Sequence, residues 1–512
     1  MTIAHDGFVQ LLRLRAETAP DRIFARFEGR PLTIGELDRA SSAFAAHLRE
    51  MGIGPGARVA VMMRNSIAAI QVIFGLAKAG VVWVPVNAQQ RGEGLHYLLE
   101  HSRPCLLVHD ATFASVLGEL ETIDAPRLLH EENRDDGPLS TVLASGRPFE
   151  EVPPASSAPL AIMYTSGTTG RPKGVIVTHR MLHLASQGAA LVADVRAGDV
   201  FFVWEPFFHV GGAQLLPLPL SHDVTLGIVE RFSASRFWDE VRREGATHIH
   251  YLGGILQILL KQPPSPGDRS HDVRIAWGGG CPAGTGRAFQ ERFGTQMREC
   301  YGMTEASSIT TFEREGVLGS VGRAVPWLQV EVLDDTGSPV PFGQRGEIVV
   351  AGLGEGAIFP GYYENPEATA NALKGGRLHT GDVGSTDEEG RLLFHGRMTD
   401  SVRCRGENVS AFEVEYVVAG HPDVEDCAMI GVAAEIGEQD IKLFVQPKAD
   451  RHVEPALLSN WLQQRLASYQ LPRYVTIVDG FERTASQRIM KHKLATHTHD
   501  SWDRLAPKER SA

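Results

Sequence analysis

A glycine- and hydroxyl-rich segment, Tyr164–Val175, constrains the fold of this chain more than any other feature of its sequence. Its glycines permit backbone angles that other residues resist, while its threonines, serine and lysine supply donors and a positive charge. The apolar run Leu160–Met163 precedes the segment and the β-branched run Val175–Thr178 follows it. This pattern predicts two strands joined by a loop that binds an anion.

Two other interpretations of this segment are weaker. A solvated turn is common for such composition, but it does not explain two flanking strands, several hydroxyls and a lysine together. A P-loop needs Gly-Lys-Ser/Thr at the start of a helix, whereas Pro172-Lys173-Gly174 enters a predicted strand. The segment therefore indicates nucleotide phosphates held in a different way from a P-loop.

Tyr164–Val175 resembles the phosphate loop of the adenylate-forming superfamily, which includes acyl-CoA synthetases, adenylation domains and luciferases. The resemblance implies that ATP converts a carboxylate into an acyl-adenylate with release of pyrophosphate, and that a thiol then accepts the acyl group. It also implies a set of ATP-binding residues in and beside the loop. These are Thr165, Ser166, Gly167, Thr168, Thr169, Gly170 and Lys173.

Composition limits the class of protein. A chain of 512 residues exceeds what one hydrophobic core supports, so at least two domains are expected. Its 43% hydrophobic and 22% charged residues are typical of a globular protein. The net charge of −12 argues against nucleic acid as a partner. The expected partners are a small carboxylic acid, ATP and CoA, and homo-oligomerisation stays open.

Cysteine usage and the N-terminal residues favour the cytoplasm. The five cysteines are scattered and contain no C-x-x-C pair, which is typical of a reducing compartment without structural zinc. The first residues show no basic segment followed by an apolar one, so no signal peptide is expected. The most apolar window, Ala68–Val86, contains Lys78 and predicts a buried helix and a strand rather than a membrane span.

The order of predicted elements indicates an α/β fold with a large N-terminal domain. Residues 30–130 and 233–294 alternate helices and strands, which predicts mostly parallel sheets covered by helices. Thr33–Glu36 has the pattern of a capping box at the start of the first of these helices. After about residue 327, short strands separated by glycine and proline turns predict an antiparallel subdomain.

A small α+β domain is expected at the C-terminal end. From Asp400 onward, short strands alternate with helices predicted over 411–420 and 456–468. The predicted domains are therefore 1–397 for adenylation and 398–512 for the C-terminal domain. The resemblance implies that this small domain is mobile and rotates between the two half-reactions.

The segment Trp204–Gly212 contains a histidine among aromatic residues. A lone histidine in such a setting is more often a hydrogen-bonded core residue than a functional one. The resemblance shifts this interpretation and assigns His209 to the mouth of the acyl pocket. Gly211 and Gly212 are then expected to leave room for the acyl group.

Three glycines end the predicted strand at Trp277–Pro282. A tight turn between a strand and a helix accounts for them equally well. By resemblance, this segment surrounds adenine and forms one wall of the acyl pocket, so Gly279, Gly280 and Cys281 are candidate nucleotide-binding residues.

The segment Cys300–Glu305 resembles the Tyr-Gly-x-Thr-Glu motif of the superfamily. An aromatic ring can stack on a purine, a hydroxyl can bind phosphate, and a carboxylate can bind Mg²⁺ that bridges phosphate oxygens. The resemblance places Tyr301 at adenine, Thr304 at phosphate and Glu305 at the metal, and it makes Gly302 a further candidate nucleotide-binding residue. Thr304 and Glu305 are therefore candidate catalytic residues, together with His209.

Two further motifs point to ribose and to CoA. His379–Asp382 resembles the Thr-Gly-Asp motif, whose carboxylate accepts hydrogen bonds from both ribose hydroxyls. Gly396–Glu415 resembles the hinge between domains, with Arg397 at ribose and Asp400 as the pivot. By the same resemblance Arg403, Arg405 and Gly406 line the thiol tunnel, although a solvated basic turn also fits these arginines.

One departure from the superfamily pattern concerns the C-terminal Thr/Ser-Gly-Lys motif, because Gln487-Arg488 replaces Gly-Lys here. Arginine is also cationic, but its guanidinium is bulkier and planar, so its charge and donors are arranged differently from those of a lysine ammonium. Three outcomes are open: Arg488 stabilises the adenylation step as a catalytic residue, Lys491 or Lys493 replaces it, or the enzyme performs mainly the thiol-transfer half.

The motifs occur in superfamily order over about residues 8–497, which favours an ATP-, Mg²⁺- and CoA-dependent acid–thiol ligase. An adenylation enzyme that charges a carrier protein is the nearest alternative. Phe207-Phe208-His209 stands where enzymes for α-amino acids place an aspartate, which argues against an α-amino acid substrate. The hinge segment is most similar to ligases of small to medium acids, including the carnitine/crotonobetaine type, while a bulky acid of secondary metabolism is equally allowed. A non-catalytic nucleotide-binding protein and a luciferase-like enzyme are more distant hypotheses.

Overall fold

The computed structural model describes residues 7–118, 124–132, 134–165, 172–398, 401–404, 407–434, 439–483 and 489–506. The chain forms two compact units. The first contains Met1–Val330 with Val350–His379, and the second contains Glu331–Val349 with Thr380–Ala512. In the described ranges, no helix has both the length and the apolar character needed to span a bilayer.

Helices occur throughout the described part of the chain. Their bounds are α1 Phe8–Thr18, α2 Ile34–Glu50, α3 Ile67–Lys78, α4 Gly92–Ser102, α5 Ala114–Gly118, α6 Pro138–Ala144, α7 His179–Ala193, α8 Val210–Ala213, α9 Leu218–Ser221, α10 Phe237–Glu244, α11 Gly253–Lys261, α12 Ala283–Phe293, α13 Pro366–Ala372, α14 Ala411–Ala419 and α15 Pro455–Gln463.

Strands alternate with these helices. Their bounds are β1 Ile23–Phe27, β2 Arg30–Thr33, β3 Arg58–Met62, β4 Val82–Pro85, β5 Leu106–Asp110, β6 Arg127–His130, β7 Pro159–Thr165, β8 Lys173–Thr178, β9 Asp199–Val203, β10 Val224–Ile228, β11 His248–Leu252, β12 Ile275–Gly279, β13 Gln296–Tyr301, β14 Thr311–Phe312, β15 Arg323–Ala324, β16 Leu328–Leu333, β17 Gly346–Gly352, β18 Leu373–Lys374, β19 Arg377–Thr386, β20 Leu392–Arg397, β21 Ser401–Cys404, β22 Glu407–Ser410, β23 Val424–Ala433, β24 Gln439–Pro447, β25 Tyr474–Ile477 and β26 Trp502–Asp503.

Two mostly parallel sheets dominate the first unit, as the alternation of helices and strands predicts. One sheet has the order β6-β5-β3-β4-β7-β8, in which β8 alone runs antiparallel to its neighbour. The other has the order β15-β14-β13-β12-β11-β9-β10-β1-β2, with a parallel run from β13 to β1. The carboxyl ends of these parallel strands are where ligands bind in open α/β sheets.

Local sequence signals account for several of these elements. The Thr33–Glu36 capping box is present, with Glu36 N–H donating to Thr33 Oγ1 and Thr33 N–H donating to Glu36 Oε2. The apolar window Ala68–Val86 folds as α3 followed by β4, as predicted. Lys78 is buried at the end of α3, where its ammonium lies 2.6 Å from Asp38 Oδ1, and burial lowers the pKa of Lys78 to about 8.

The second unit contains the predicted α+β module. Strands β23 and β24 pair antiparallel, β24 and β25 pair parallel, and α14 and α15 contribute to one hydrophobic core with them. Strands β19 and β20 also pair antiparallel, as expected for the segment after residue 327. The prediction of a helix over 456–468 was too long, because α15 ends at Gln463 and residues 468–470 form a separate 3-10 turn.

Candidate active site

The glycine-rich segment joins two strands of one hairpin, as predicted. Strands β7 and β8 pair antiparallel, and Thr165 lies opposite Lys173 at the end of the hairpin where the loop connects the strands. Gly174 is needed here, because a Cβ at this position would come within 2.7 Å of Ile162 Cγ2. The candidate phosphate-binding residues Ser166, Gly167, Thr168, Thr169 and Gly170 lie outside the described residues.

A distant segment, residues 361–363, adds backbone pairing to the outer side of this hairpin. Tyr362 forms an antiparallel bridge with Val175 on β8, and Tyr363 N–H donates to the carbonyl oxygen of Gly174 at 2.7 Å. Such pairing fixes the backbone position of Tyr362 beside the base of the loop.

Tyr362 contacts two residues that the sequence singles out. Its hydroxyl donates to Glu305 Oε1 at 2.9 Å. The Lys173 ammonium lies 5.2 Å from the centroid of the Tyr362 ring, within the range of a cation–π interaction. The structure therefore brings the candidate phosphate-binding lysine to the ring of Tyr362 and the candidate metal-binding carboxylate to its hydroxyl.

The turn after β13 sets the direction of Glu305. Gly302 follows Tyr301, and a Cβ on Gly302 would overlap the carbonyl oxygen of Ser308. Thr304–Ala306 then forms a 3-10 turn, and the Glu305 backbone carbonyl accepts a hydrogen bond from Phe359 N–H at 2.8 Å. The side chain of Tyr301 is largely buried at the end of the strand. This tight turn places Thr304 and Glu305 directly beyond the carboxyl end of β13.

The turn after the neighbouring strand β12 carries the candidates Gly279, Gly280 and Cys281. A Cβ on Gly279 would lie 2.9 Å from the Cys300 carbonyl oxygen, and Gly280 has a φ of +78°. These positions require glycine for close strand packing and for a left-handed backbone. The candidate Cys281 donates its backbone N–H to Glu299 Oε1 at 2.8 Å.

Glu299 is a buried carboxylate that the sequence analysis missed. Besides the Cys281 amide it accepts a hydrogen bond from the Tyr251 hydroxyl, with an O–O distance of 2.5 Å. Burial raises the pKa of the Glu299 carboxyl to about 7, although the hydrogen bonds from Tyr251, Cys281 and Gly280 oppose the shift. The sequence gives no local signal for its burial, because Gln296, Arg298 and Glu299 make half of the strand Gln296–Tyr301 polar.

Gly211 and Gly212 do not leave room for an acyl group in the way the sequence analysis expected. A Cβ on Gly211 would lie 2.5 Å from Glu205 Oε2, and a Cβ on Gly212 would lie 2.5 Å from the Pro206 carbonyl oxygen. The space beside both glycines is already filled by the chain itself. His209 is the N-cap residue of the short helix α8, and its carbonyl oxygen accepts hydrogen bonds from Gly212 N–H and Ala213 N–H.

A buried polar pair lies beside this turn. His250 Nδ1 is 2.8 Å from Glu205 Oε2, and both side chains are largely buried. The His250 ring packs on Trp277, with ring centroids 4.3 Å apart. Glu205 follows β9, while His250 and Trp277 lie in the middle of β11 and β12, so a polar pair lies beside the segments that the resemblance assigns to the acyl pocket.

The second unit brings together the two candidate ribose ligands. Asp382 on β19 lies opposite Arg397 on β20, and Arg397 Nε is 3.5 Å from Asp382 Oδ1. Asp382 is buried, whereas Arg397 is 37% exposed. The backbone approaches Asp382 through Gly381, which has a φ of +69°. The register of β19 and β20 places these two residues opposite each other. The sequence motifs alone do not predict this pairing.

The remaining candidates belong to the second unit. Arg403 lies on strand β21, while Arg405, Gly406 and Arg488, like the proposed pivot Asp400, lie outside the described residues. The two lysines considered as substitutes for Arg488 take part in ion pairs. Lys491 Nζ lies 2.8 Å from Glu415 Oε1, and Lys493 pairs with Glu482.

Comparison with known proteins gives consistent matches along the chain. The sequence profile of the AMP-binding enzyme family matches residues 12–363, and that of the AMP-binding enzyme C-terminal domain matches residues 413–488. A crotonobetaine/carnitine–CoA ligase from Escherichia fergusonii is 34% identical over 475 residues, which cover 90% of this chain and 91% of the relative.

Solved structures agree with this assignment. ATP-bound MatB from Rhodopseudomonas palustris is 26% identical, with a TM-score of 0.86 over 95% of this chain and 98% of that chain. The o-succinylbenzoate coenzyme A synthetase MenE from Bacillus subtilis, in complex with ATP and magnesium ion, is 26% identical, with a TM-score of 0.83 over 94% and 98%.

The predicted α/β fold and the predicted superfamily are thereby confirmed. The chain has the fold, the two matched domains and the overall length of ATP-dependent acyl-CoA ligases that act through an acyl-adenylate. It belongs to the AMP-binding enzyme family, within the acyl-CoA synthetase branch of the adenylate-forming superfamily.

Proposed function

We propose that this chain catalyses both halves of a ligase reaction, from carboxylic acid, Mg²⁺-bound ATP and CoA to acyl-CoA, AMP and pyrophosphate. The observation that carries the proposal is the convergence of Lys173 and Glu305 on Tyr362 beside the β7–β8 hairpin. A lysine and a glutamate that both contact one tyrosine beside a glycine-rich loop suit a triphosphate with its divalent ion.

The donors available beside the hairpin fit magnesium. Glu305 offers a carboxylate and Thr304 a hydroxyl, and Mg²⁺ typically takes one or two protein carboxylates together with substrate phosphates. When bound, Mg²⁺ would neutralise charge on the phosphates and on the departing pyrophosphate. Lys173 and the loop residues would hold the β- and γ-phosphates in place, which orients the α-phosphorus toward the attacking carboxylate oxygen.

The other assignments complete the nucleotide site. Tyr301 and the Gly279–Cys281 turn would bind adenine, while His209 would control entry to the acyl pocket. Asp382 would accept hydrogen bonds from the ribose hydroxyls, with Arg397 beside it. The 3.5 Å contact between Arg397 and Asp382 supports this assignment, because an ion pair with the guanidinium orients the carboxylate.

We also propose that Arg488 serves the adenylation step. The ion pairs of Lys491 and Lys493 support this choice over a shift in register, since both ammonium groups already have carboxylate partners. Rotation of a C-terminal domain that begins at residue 398 would then bring Arg403, Arg405 and Gly406 to the thiol. A cytoplasmic location and a small or medium acid substrate complete the proposal, and the similarity to crotonobetaine/carnitine–CoA ligase supports the latter.

Acid-dependent pyrophosphate release tests the proposal. Purified protein would be supplied with ATP, Mg²⁺ and a panel of short, medium, aromatic and quaternary-ammonium acids, with and without CoA. We expect release with at least one acid in the absence of CoA, and acyl-CoA formation when CoA is added. Acyl transfer from a supplied acyl-adenylate, without any pyrophosphate release, would restrict the enzyme to the second half-reaction. Release without acyl-CoA formation would point to a carrier protein as the acceptor.

A further inference from the structure

The side chain of Tyr362 links the two charged groups on which the proposed function depends. Its hydroxyl donates to Glu305 Oε1 at 2.9 Å, and its ring lies under the Lys173 ammonium at 5.2 Å. Neither contact follows from a local motif, because Tyr362 is 57 positions from Glu305 in sequence. The tyrosine is therefore a candidate for setting the geometry between the metal-binding and phosphate-binding groups.

Backbone pairing makes this position rigid. The Tyr362 bridge to Val175 ties the tyrosine to β8, and Tyr362 N–H donates to Thr369 Oγ1 at 2.9 Å. The Phe359 ring packs against the Tyr362 ring, with centroids 4.8 Å apart and a T-shaped geometry. A ring held from several sides can orient the groups it touches at low entropic cost.

We infer that Tyr362 is a positioning residue that orients the Glu305 carboxylate for the divalent cation of bound ATP while its ring supports Lys173. An ionised carboxylate has about four acceptor positions, so it can accept the tyrosine hydroxyl and bind a metal ion at once. Hydrogen bonds to metal-binding carboxylates commonly change metal affinity about 10- to 100-fold. This inference rests on the proposed function and extends it to a residue outside the recognised motifs.

The substitution Tyr362→Phe isolates the hydroxyl, because it keeps the ring that contacts Lys173 and Phe359. Tyr363→Phe is the matched control, since this neighbour packs on His101 and Arg58 instead. ATP affinity would be measured by calorimetry in Mg²⁺ and in EDTA, and Mn²⁺ binding to the protein–ATP complex by electron paramagnetic resonance. Circular dichroism and thermal melting would establish that both variants fold.

We expect Tyr362→Phe to weaken ATP binding in Mg²⁺ about tenfold and to leave binding in EDTA within about twofold, while Tyr363→Phe changes neither. Equal losses with and without the cation, or the same behaviour in both variants, would overturn the inference. A double-mutant cycle with Glu305→Gln gives a second criterion: strong non-additivity supports action through Glu305, and additivity contradicts it. Wild-type protein that fails to bind ATP at all would instead refute the proposed function.

Discussion

The turns after strands β12 and β13 are adjacent, yet the carboxylates that serve them differ. Glu299 supports the β12 turn from inside the sheet, where its partners are the Tyr251 hydroxyl and backbone amides. Glu305 lies in the β13 turn itself and accepts the hydroxyl of Tyr362, whose ring also contacts the Lys173 ammonium. Two glutamates six positions apart thus have different surroundings: Glu299 is held inside the sheet, whereas Glu305 lies in the turn beyond it, where we propose that it binds the metal ion.

Of the substitutions that test this difference between the two glutamates, removal of the Glu305 carboxylate should have the largest effect on activity. We expect Glu305→Ala to reduce acid-dependent pyrophosphate release about 100- to 1,000-fold. The reason is that the magnesium ion, which neutralises the phosphates, then loses a protein ligand. Glu315→Ala, at an exposed glutamate that follows β14, should stay within about twofold. Unchanged turnover in Glu305→Ala would show that the metal assignment is wrong.

Glu299, the carboxylate inside the sheet, should affect the pH dependence of protein stability rather than the metal dependence of activity. The folded-state pKa of Glu299, about 7, lies above its ordinary value of 4.5, so the folded protein binds the extra proton between these pH values. The free energy of unfolding should therefore fall by about 3 kcal/mol from this group as pH rises from 4.5 to 7. Glu299→Gln should remove that component of the pH dependence in urea melts. An identical pH dependence in both proteins would contradict the assignment.

A third carboxylate, Asp382, extends the comparison, because its neighbour is a cation. We expect Asp382→Asn to raise the KM for ATP about tenfold, since a neutral amide accepts ribose hydroxyls less strongly than a carboxylate. The Mg²⁺ concentration for half-maximal activity should not change, in contrast to Glu305 variants. Steady-state kinetics at varied ATP and Mg²⁺ would measure both quantities, and a shift in the Mg²⁺ requirement alone would argue against a ribose role.

The smallest change in rate is expected for a substitution at a cationic residue, Arg488, rather than at a carboxylate. Arg488→Lys restores the residue that the superfamily usually places there, and we expect the adenylation rate to rise about three- to tenfold. The rate of acyl transfer to CoA should remain the same, which single-turnover measurements can separate. If Arg488→Lys does not raise the adenylation rate and Lys491→Ala abolishes adenylation, Lys491 rather than Arg488 serves this step.

The sequence predicts the parts of the site that local patterns encode. The hairpin strands, the capping box at Thr33 and the position of α3 follow from hydrophobic periodicity and turn chemistry within short windows. The Tyr301–Glu305 motif likewise selects residues that lie at and directly beyond the carboxyl end of β13. Because these signals are local, they can be interpreted without knowledge of the tertiary structure.

Residues that act across strands could not be found in this way. Tyr362 and Glu299 acquire their contacts from pairing between segments 57 and 48 positions apart. The expectation that Gly211 and Gly212 leave open space failed for the same reason, because Glu205 and Pro206 occupy that volume. Short motifs report which residue types are present, whereas supporting contacts depend on register and on packing of distant elements.

The overlap that a side chain at Gly302 would cause has a consequence for the evolution of this enzyme. Because the Ser308 carbonyl occupies the place of a Cβ, every replacement at Gly302 must displace the turn that carries Thr304 and Glu305. Substitutions at Gly302 should therefore be selected against wherever the turn has to keep Thr304 and Glu305 in place.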